Sequence, residues 1–535
     1  MALPYFASGN KTEIMRKLLL LFALACSVMS CVDRMFSPVS ENVDTEVSLS
    51  HEMIQLGNQL DDPYSVSNMT KAFSAVAGSE RVPLAATDLY VRFLPSGQEQ
   101  YDLLAGMGLD MLDHPMDYQI LRDGDYYHDP ALPEDAITWQ YAVVPADFDF
   151  PSDMEYEILH ECFIPEHSAA TKSSGTDWAE VEREAYRISG NGAMLTDTRA
   201  GAVSAGPSGR ITIVDSARGG EPEGVRGVMV SCNTFVKFCR AYTDEDGCYS
   251  MTRTFSSSPR YRLVFKNKKG FEIGFNLVLV PASVSTMGQG PEGGLDLHIT
   301  GSSERKLFAR AAVNNAAYDY YCSCSNSGAG IKTPPANLRL WLLWGTGSSS
   351  APMLQQGSFV ESSLIGDFLG EYCPLLEMFL PDITLGMKGD PGYSSIYSLT
   401  THELAHASHF MQAGKGFWDP YINFILRSFV TSGFVTYGVG TENGHGYCEV
   451  GEMWAYYIQT VMYRERYSDM SASFGDSFWF SPQILVSLDD RGLTRYKMFN
   501  AFTSDVTDIE ILHSKMLSLY PEMKAAINQA FNRYI

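Results

Sequence analysis

Residues His402-Glu403-Leu404-Ala405-His406 constrain this chain more than any other stretch. Two histidines four residues apart stack one above the other on a single face of an α-helix. The flanks agree with a helix. Pro391-Gly392 precedes it, Ser394 and Ser395 are good N-cap residues, and Gly414-Lys415-Gly416 supplies a stop. Leu399, His402, Glu403, His406 and Phe410 keep the helical spacing between those limits. In that geometry both imidazoles reach one zinc ion, and Glu403 lies where its carboxylate can take a proton from the metal's water. With only 11 histidines in 535 residues, such a string arises by chance in roughly one chain in a hundred.

A catalytic zinc needs a third protein ligand. A metzincin would carry Gly at 409 and His at 412, but the chain has His409 and Gln412. An aspzincin would carry a downstream Gly-Thr-x-Asp, which is missing. About fifty residues on, Cys448-Glu449-Val450-Gly451-Glu452-Met453-Trp454-Ala455-Tyr456-Tyr457 opens a helix-compatible run to about Arg466. Glu449 and Glu452 share one helical stripe, so periodicity does not separate them. Gly451-Glu452-x-x-Ala455 resembles the Gly-Glu-x-x-Ala-Asp motif of the gluzincins, the thermolysin-like metallopeptidases. The resemblance implies His402, His406 and Glu452 as zinc ligands, Glu403 as general base, and a protein or peptide substrate. It departs from the pattern at Tyr456, where an aspartate usually orients a ligating histidine. Another carboxylate or a backbone carbonyl is then expected to support His402. His409, one turn beyond His406, reads as a helix-face residue. An oxyanion donor is expected among His445, Tyr447, Tyr456 and Tyr457.

The net charge of −24 argues against nucleic acid as a partner, because its phosphates would be repelled. Near the N-terminus, Met15-Arg16-Lys17 followed by Leu18 to Ala25 has the charged and apolar regions of a secretory signal, too short to span a bilayer. The run ends in Val28-Met29-Ser30-Cys31, which resembles a bacterial lipobox with Cys31 as the lipidated residue; Ala23-Leu24-Ala25-Cys26 is a second choice. The expectation is an exported lipoprotein, anchored at the outer membrane or cell surface of a Gram-negative bacterium. The eight remaining cysteines are too scattered for a disulfide scaffold and read mostly as buried free thiols.

The expected fold is multidomain α+β. Residues 1–31 form the signal region, and 32–83 a polar tether with a weakly helical stretch from His51 to Ala77. A small α/β domain spans 84–205, with a strand over Asp88–Leu94, a helix over Glu99–Met107, and strands at Tyr118–Leu121 and Tyr141–Val144. Over 206–290 the alternation becomes all-β. Gly227-Val228-Met229-Val230 and the turn Thr243-Asp244-Glu245-Asp246-Gly247-Cys248-Tyr249 resemble the transthyretin-like, carboxypeptidase-regulatory β-sandwich. Pro291 to Gly294 marks a boundary. Residues 291–535 then read as a mostly helical, zincin-like domain with a small sheet, whose strand at Leu380–Met387 is expected to pair with an extended substrate. The resulting function is a zinc metallopeptidase. Two alternatives stay open: a surface protein that binds glycan or protein around a structural or degenerate zinc site, and a zinc hydrolase acting on a non-peptide bond.

Overall fold

A computed structural model describes residues 53–78, 83–133, 136–168, 175–195, 205–274, 284–325, 330–344, 347, 349–358, 382–431 and 437–535. The signal region, the tether as far as residue 52, Cys31, Cys26 and Cys373 lie outside the described residues. The chain is a mixed α/β protein with several sheets and a helical C-terminal region. Among the described residues no helix is long and apolar enough to cross a membrane.

The first part holds β1 (Gln55–Gln59), α1 (Val66–Ala77), β2 (Asp88–Leu94), α2 (Gln98–Gly106), β3 (Tyr118–Arg122), β4 (Gln140–Pro145), β5 (Glu155–Cys162) and α3 (Trp178–Ile188). The weak helix expected over 51–77 therefore divides into a strand and a helix. β1 pairs with β3, and Met69 and Ala72 of α1 share a core with Val181 and Ala185 of α3, so this segment belongs to the small domain rather than to a tether. β2 is the central strand of the sheet β4-β2-β5.

Next come β6 (Ser208–Val214), β7 (Pro222–Gly224), β8 (Val228–Thr234), β9 (Lys237–Tyr242), β10 (Cys248–Ser250), β11 (Arg260–Asn267), β12 (Phe271–Ile273), β13 (Val284–Gln289) and β14 (Leu297–Ile299). They are followed by α4 (Arg305–Ser325), β15 (Leu338–Leu343), β16 (Ile383–Gly386), α5 (Tyr393–Ala413), α6 (Lys415–Thr431) and α7 (His445–Tyr467). Four short helices end the chain: α8 (Gln483–Asp489), α9 (Arg495–Phe499), α10 (Ile509–Leu519) and α11 (Lys524–Phe531).

The boundary expected near residue 291 does not separate two cores. One sheet runs β16-β15-β12-β11-β8-β9, with β13 also on β11, and the pairings β12–β15 and β15–β16 are parallel. A second sheet crosses the same point, because β14 lies parallel to β6. One apolar core accordingly extends from Ile211 to Phe531. Local alternation identifies these strands, but it carries no information about which distant strand completes their hydrogen bonds.

The large sheet is covered on both faces. Tyr261, Leu263 and Phe265 of β11 and Leu338 and Leu340 of β15 enter the core shared with the helices. The alternate residues point to the other face, as strand geometry requires, and there they meet the small domain. Arg262 approaches His114, Arg260 pairs with Asp123, and Arg339 reaches Asp102 at 2.6 Å. The tip of the β8–β9 hairpin also enters the small domain's core through Phe235, Val236 and Phe238. Beside it the buried Lys237 ammonium is held by Glu182 and Glu166, each at 2.7 Å. The small domain thus sits on the face of the sheet opposite the helices that carry His402 and Glu452.

Candidate metal centre

α5 spans Tyr393–Ala413 with Gly392 as its N-cap. Ser394 and Ser395, expected as caps, lie inside the first turn, because the extended backbone at Gly392 already starts the helix. Gly414, at φ 73°, ends it in a conformation that costs glycine little. α7 runs antiparallel beside α5, and across the pair His402, His406 and Glu452 meet. His402 Nε2 lies 3.2 Å from His406 Nε2 and 3.5 Å from Glu452 Oε2; His406 Nε2 lies 3.6 Å from Glu452 Oε1. Ligand atoms at ordinary distances around a tetrahedral zinc stand about 3.3–3.6 Å apart. The donor set and its spacing fit the ion.

Glu452, and not Glu449, is the carboxylate between the histidines. Glu449 accepts the backbone N–H of Ile509 at the start of α10, and burial pushes its carboxyl up to about 7. Glu452 is also buried, which alone would raise its pKa, but the imidazoles of His406 and His402 outweigh burial and hold it well below the usual carboxylate range. The Tyr421 hydroxyl donates to Glu452 Oε1 at 2.6 Å and fixes its orientation. Gly451 gives that ring its room: a Cβ at 451 would come 3.2 Å from Tyr421 Cε2.

Glu403 is fully buried, and neither of its carboxylate oxygens has a hydrogen-bond partner among the described residues. Burial, then the charge of Glu452, push its pKa well above the ordinary value. His406 is lowered, chiefly by burial. The centre as a whole is enclosed, with His402 and His406 each 1 % exposed and Glu403 and Glu452 at 0 %.

Tyr456 does not orient a histidine through a carboxylate. Its ring packs edge-on against His402 at 4.5 Å and stacks on Phe480. On the far side Gly475 comes so close that a Cβ there would lie 2.6 Å from Tyr456 Cγ. The polar partner of His402 is Gln459: Nδ1 donates to Gln459 Oε1 at 3.0 Å, and Gln459 Nε2 donates to Ser398 Oγ at 2.7 Å. Neither a carboxylate nor a backbone carbonyl fills the role. Gln459 lies seven residues beyond Glu452, on the same stripe of α7, so the spacing held a signal for it. Tyr421 sits on α6, and nothing in the sequence ties it to Glu452.

Among the other expected residues, His445 donates through Nδ1 to the carbonyl of Glu442. Tyr447 packs on Phe417, and Tyr457 packs on Trp454. His409 is buried among Phe417, Trp418 and Phe502. The strand before α5 is not a free edge: Ser350 pairs antiparallel with Thr384 through two backbone hydrogen bonds of 2.8 and 2.9 Å, on the side away from β15. Asp62, His160 and Cys162 form a second cluster with ligand atoms close together. There, however, Asp62 Oδ2 and His160 Nε2 bond directly at 2.9 Å, and Cys162 donates to a carbonyl. That cluster satisfies itself. All seven described cysteines are free thiols, four of them buried.

No family model matches the chain, and no curated protein matches it significantly. A 9R-lipoxygenase structure from Cyanothece PCC8801 aligns over 28 % of this chain and 29 % of its own length, at 9 % identity. Its TM-score of 0.11 is too low to bear on fold or activity.

Proposed function

We propose that the chain is a gluzincin-like zinc metallopeptidase, exported and anchored through Cys31. The reading is carried by one observation: a buried Glu403 carboxylate, without a hydrogen-bond partner among the described residues, on the helix turn between two histidines whose Nε2 atoms converge on Glu452. In this reading His402, His406 and Glu452 hold zinc. When bound, zinc supplies a Lewis acid that polarises water and the scissile carbonyl. Glu403 takes the proton of the attacking water and passes it to the leaving amine. Tyr421 and Gln459 keep Glu452 and His402 in place, and the packed aromatic wall of Tyr456 and Phe480 limits water on one side.

A second reading is favoured by the near-complete burial of the four residues: a structural zinc in a surface protein that binds glycan or protein. Metal content and peptide hydrolysis separate the two. The purified chain from residue 32 is expected to carry about one zinc, lost with Glu452→Ala and kept with Glu449→Ala. Glu403→Gln is expected to keep the metal and lower turnover by about 10²–10⁴-fold or more. A Glu403→Gln protein that hydrolyses peptides at the wild-type rate overturns the peptidase mechanism. A wild-type protein that holds zinc but cleaves no member of a peptide library supports the second reading.

A further inference from the structure

Resting on the zinc reading, we infer that Gln459 and Ser398 form a neutral relay that positions His402 as a metal ligand, in the role the Tyr456 position cannot fill. A histidine ligates through a nitrogen that carries a lone pair, so the proton must reside on the other ring nitrogen. Gln459 Oε1 can only accept, so the 3.0 Å contact requires the proton on His402 Nδ1 and leaves the lone pair on Nε2, which faces His406 and Glu452.

The ligand role also sets the orientation of the amide. Gln459 Nε2 donates to Ser398 Oγ at 2.7 Å; with the amide reversed, an N–H would point at Nδ1 and force the proton onto Nε2, where it would block the metal. All three side chains are buried, so water does not compete for these bonds. Ser398 and His402 are four residues apart on α5, and Gln459 reaches both from α7. The relay therefore also ties the histidine's ring angle to the packing of the two helices. An amide supplies the direction of the hydrogen bond without a second buried negative charge beside Glu452 and Glu403.

The test uses the full chain from residue 32 in three variants, Gln459→Leu, Gln459→Glu and Ser398→Ala. Zinc affinity is read by competition with a chromophoric chelator. The histidine tautomer is read in the metal-free protein by nitrogen NMR of ¹⁵N-labelled histidine, with His402→Gln as the assignment control. Gln459→Leu, which keeps volume and removes the acceptor, is expected to weaken zinc binding by about 10–100-fold. Gln459→Glu, which restores an acceptor, is expected to bind at least as tightly as the wild type. Ser398→Ala should fall between the wild type and Gln459→Leu.

A role in packing alone would not rank the leucine and glutamate variants in that order. Wild-type affinity in Gln459→Leu, or a His402 that carries its proton on Nε2 in the metal-free protein, overturns the relay. If Gln459→Leu does not fold, the tautomer and Ser398→Ala decide the matter. A wild-type chain that takes up no zinc overturns the zinc reading instead, and the tautomer still answers for the relay.

Discussion

The two ends of the α5–α7 interface bury polar groups in opposite ways. Near the start of α5, the Arg466 guanidinium of α7 is 6 % exposed and wholly engaged. It pairs with Glu223 Oε1 at 2.6 Å, Asp215 Oδ2 at 3.0 Å and Asp319 Oδ2 at 3.2 Å, and lies over the rings of Tyr393 and Tyr397. The hydroxyls of Tyr393 and Tyr467 add bonds to the same carboxylates, at 2.5 and 3.0 Å. Two turns further along α5, Glu403 is equally buried and has no hydrogen-bond partner among the described residues. Leaving a buried polar group unmade costs about 1–3 kcal/mol, and more when it is charged. One end of the interface holds the helices together, while the other gives up stability in a place where three ligand atoms converge. The contrast marks the second end as built for something other than the fold.

Removing the hub of the satisfied end should have the largest effect on stability. Arg466→Met leaves Asp215, Glu223 and Asp319 without their shared cation, and breaking a buried pair in this way costs about 3–5 kcal/mol. Urea denaturation checks it, and an unchanged midpoint would break the contrast. The unsatisfied end should respond to its ligand instead. Free zinc at a hundred times its dissociation constant should add about 2.7 kcal/mol, because only the folded chain presents the three ligands together. The gain should appear as a higher Tm, vanish with a chelator, and be absent in Glu452→Ala. Glu403→Gln should retain it.

The helix of His402 and His406 was legible because its chemistry sits within one turn, and helical geometry carries the two rings to one point. Glu452 against Glu449 was not decidable locally: both occupy one stripe, and the crossing of α7 over α5 makes the choice. Gln459 was half legible, on the right stripe but without a motif. Tyr421 was not legible, because its reach depends on how α6 folds back. The same limit explains the merged domains. Strand-like runs over Tyr261–Phe265 and Leu338–Trp344 can be read locally, while the parallel pairings β12–β15 and β15–β16 link residues 67 and 43 positions apart, as Phe271↔Leu338 and Leu340↔Ile383.

A smaller effect would sharpen the comparison at the far side of the metal centre. His409 is fully buried, both ring nitrogens lack hydrogen-bond partners among the described residues, and its neighbours include the rings of Phe417 at 4.6 Å, Phe502 at 5.6 Å and Trp418 at 5.8 Å. Burial, with a smaller contribution from His406, pushes its pKa down to about 3. An unfolded histidine titrates near ~6.5. Below that pH the unfolded chain binds a proton that the folded chain refuses, so stability is lost as pH falls from about 6.5 toward 3. At pH 5 the loss from this residue should reach about 2 kcal/mol. His409→Leu removes the titrating group and keeps an apolar side chain of similar size. Urea midpoints at pH 7 and pH 5, in metal-free protein, should therefore fall further for the wild type than for the variant, while the contributions of His406 and Glu452 are common to both. Equal losses would mean that the His409 ring binds its proton as readily in the folded chain as in water, and that this end of the interface is not dry.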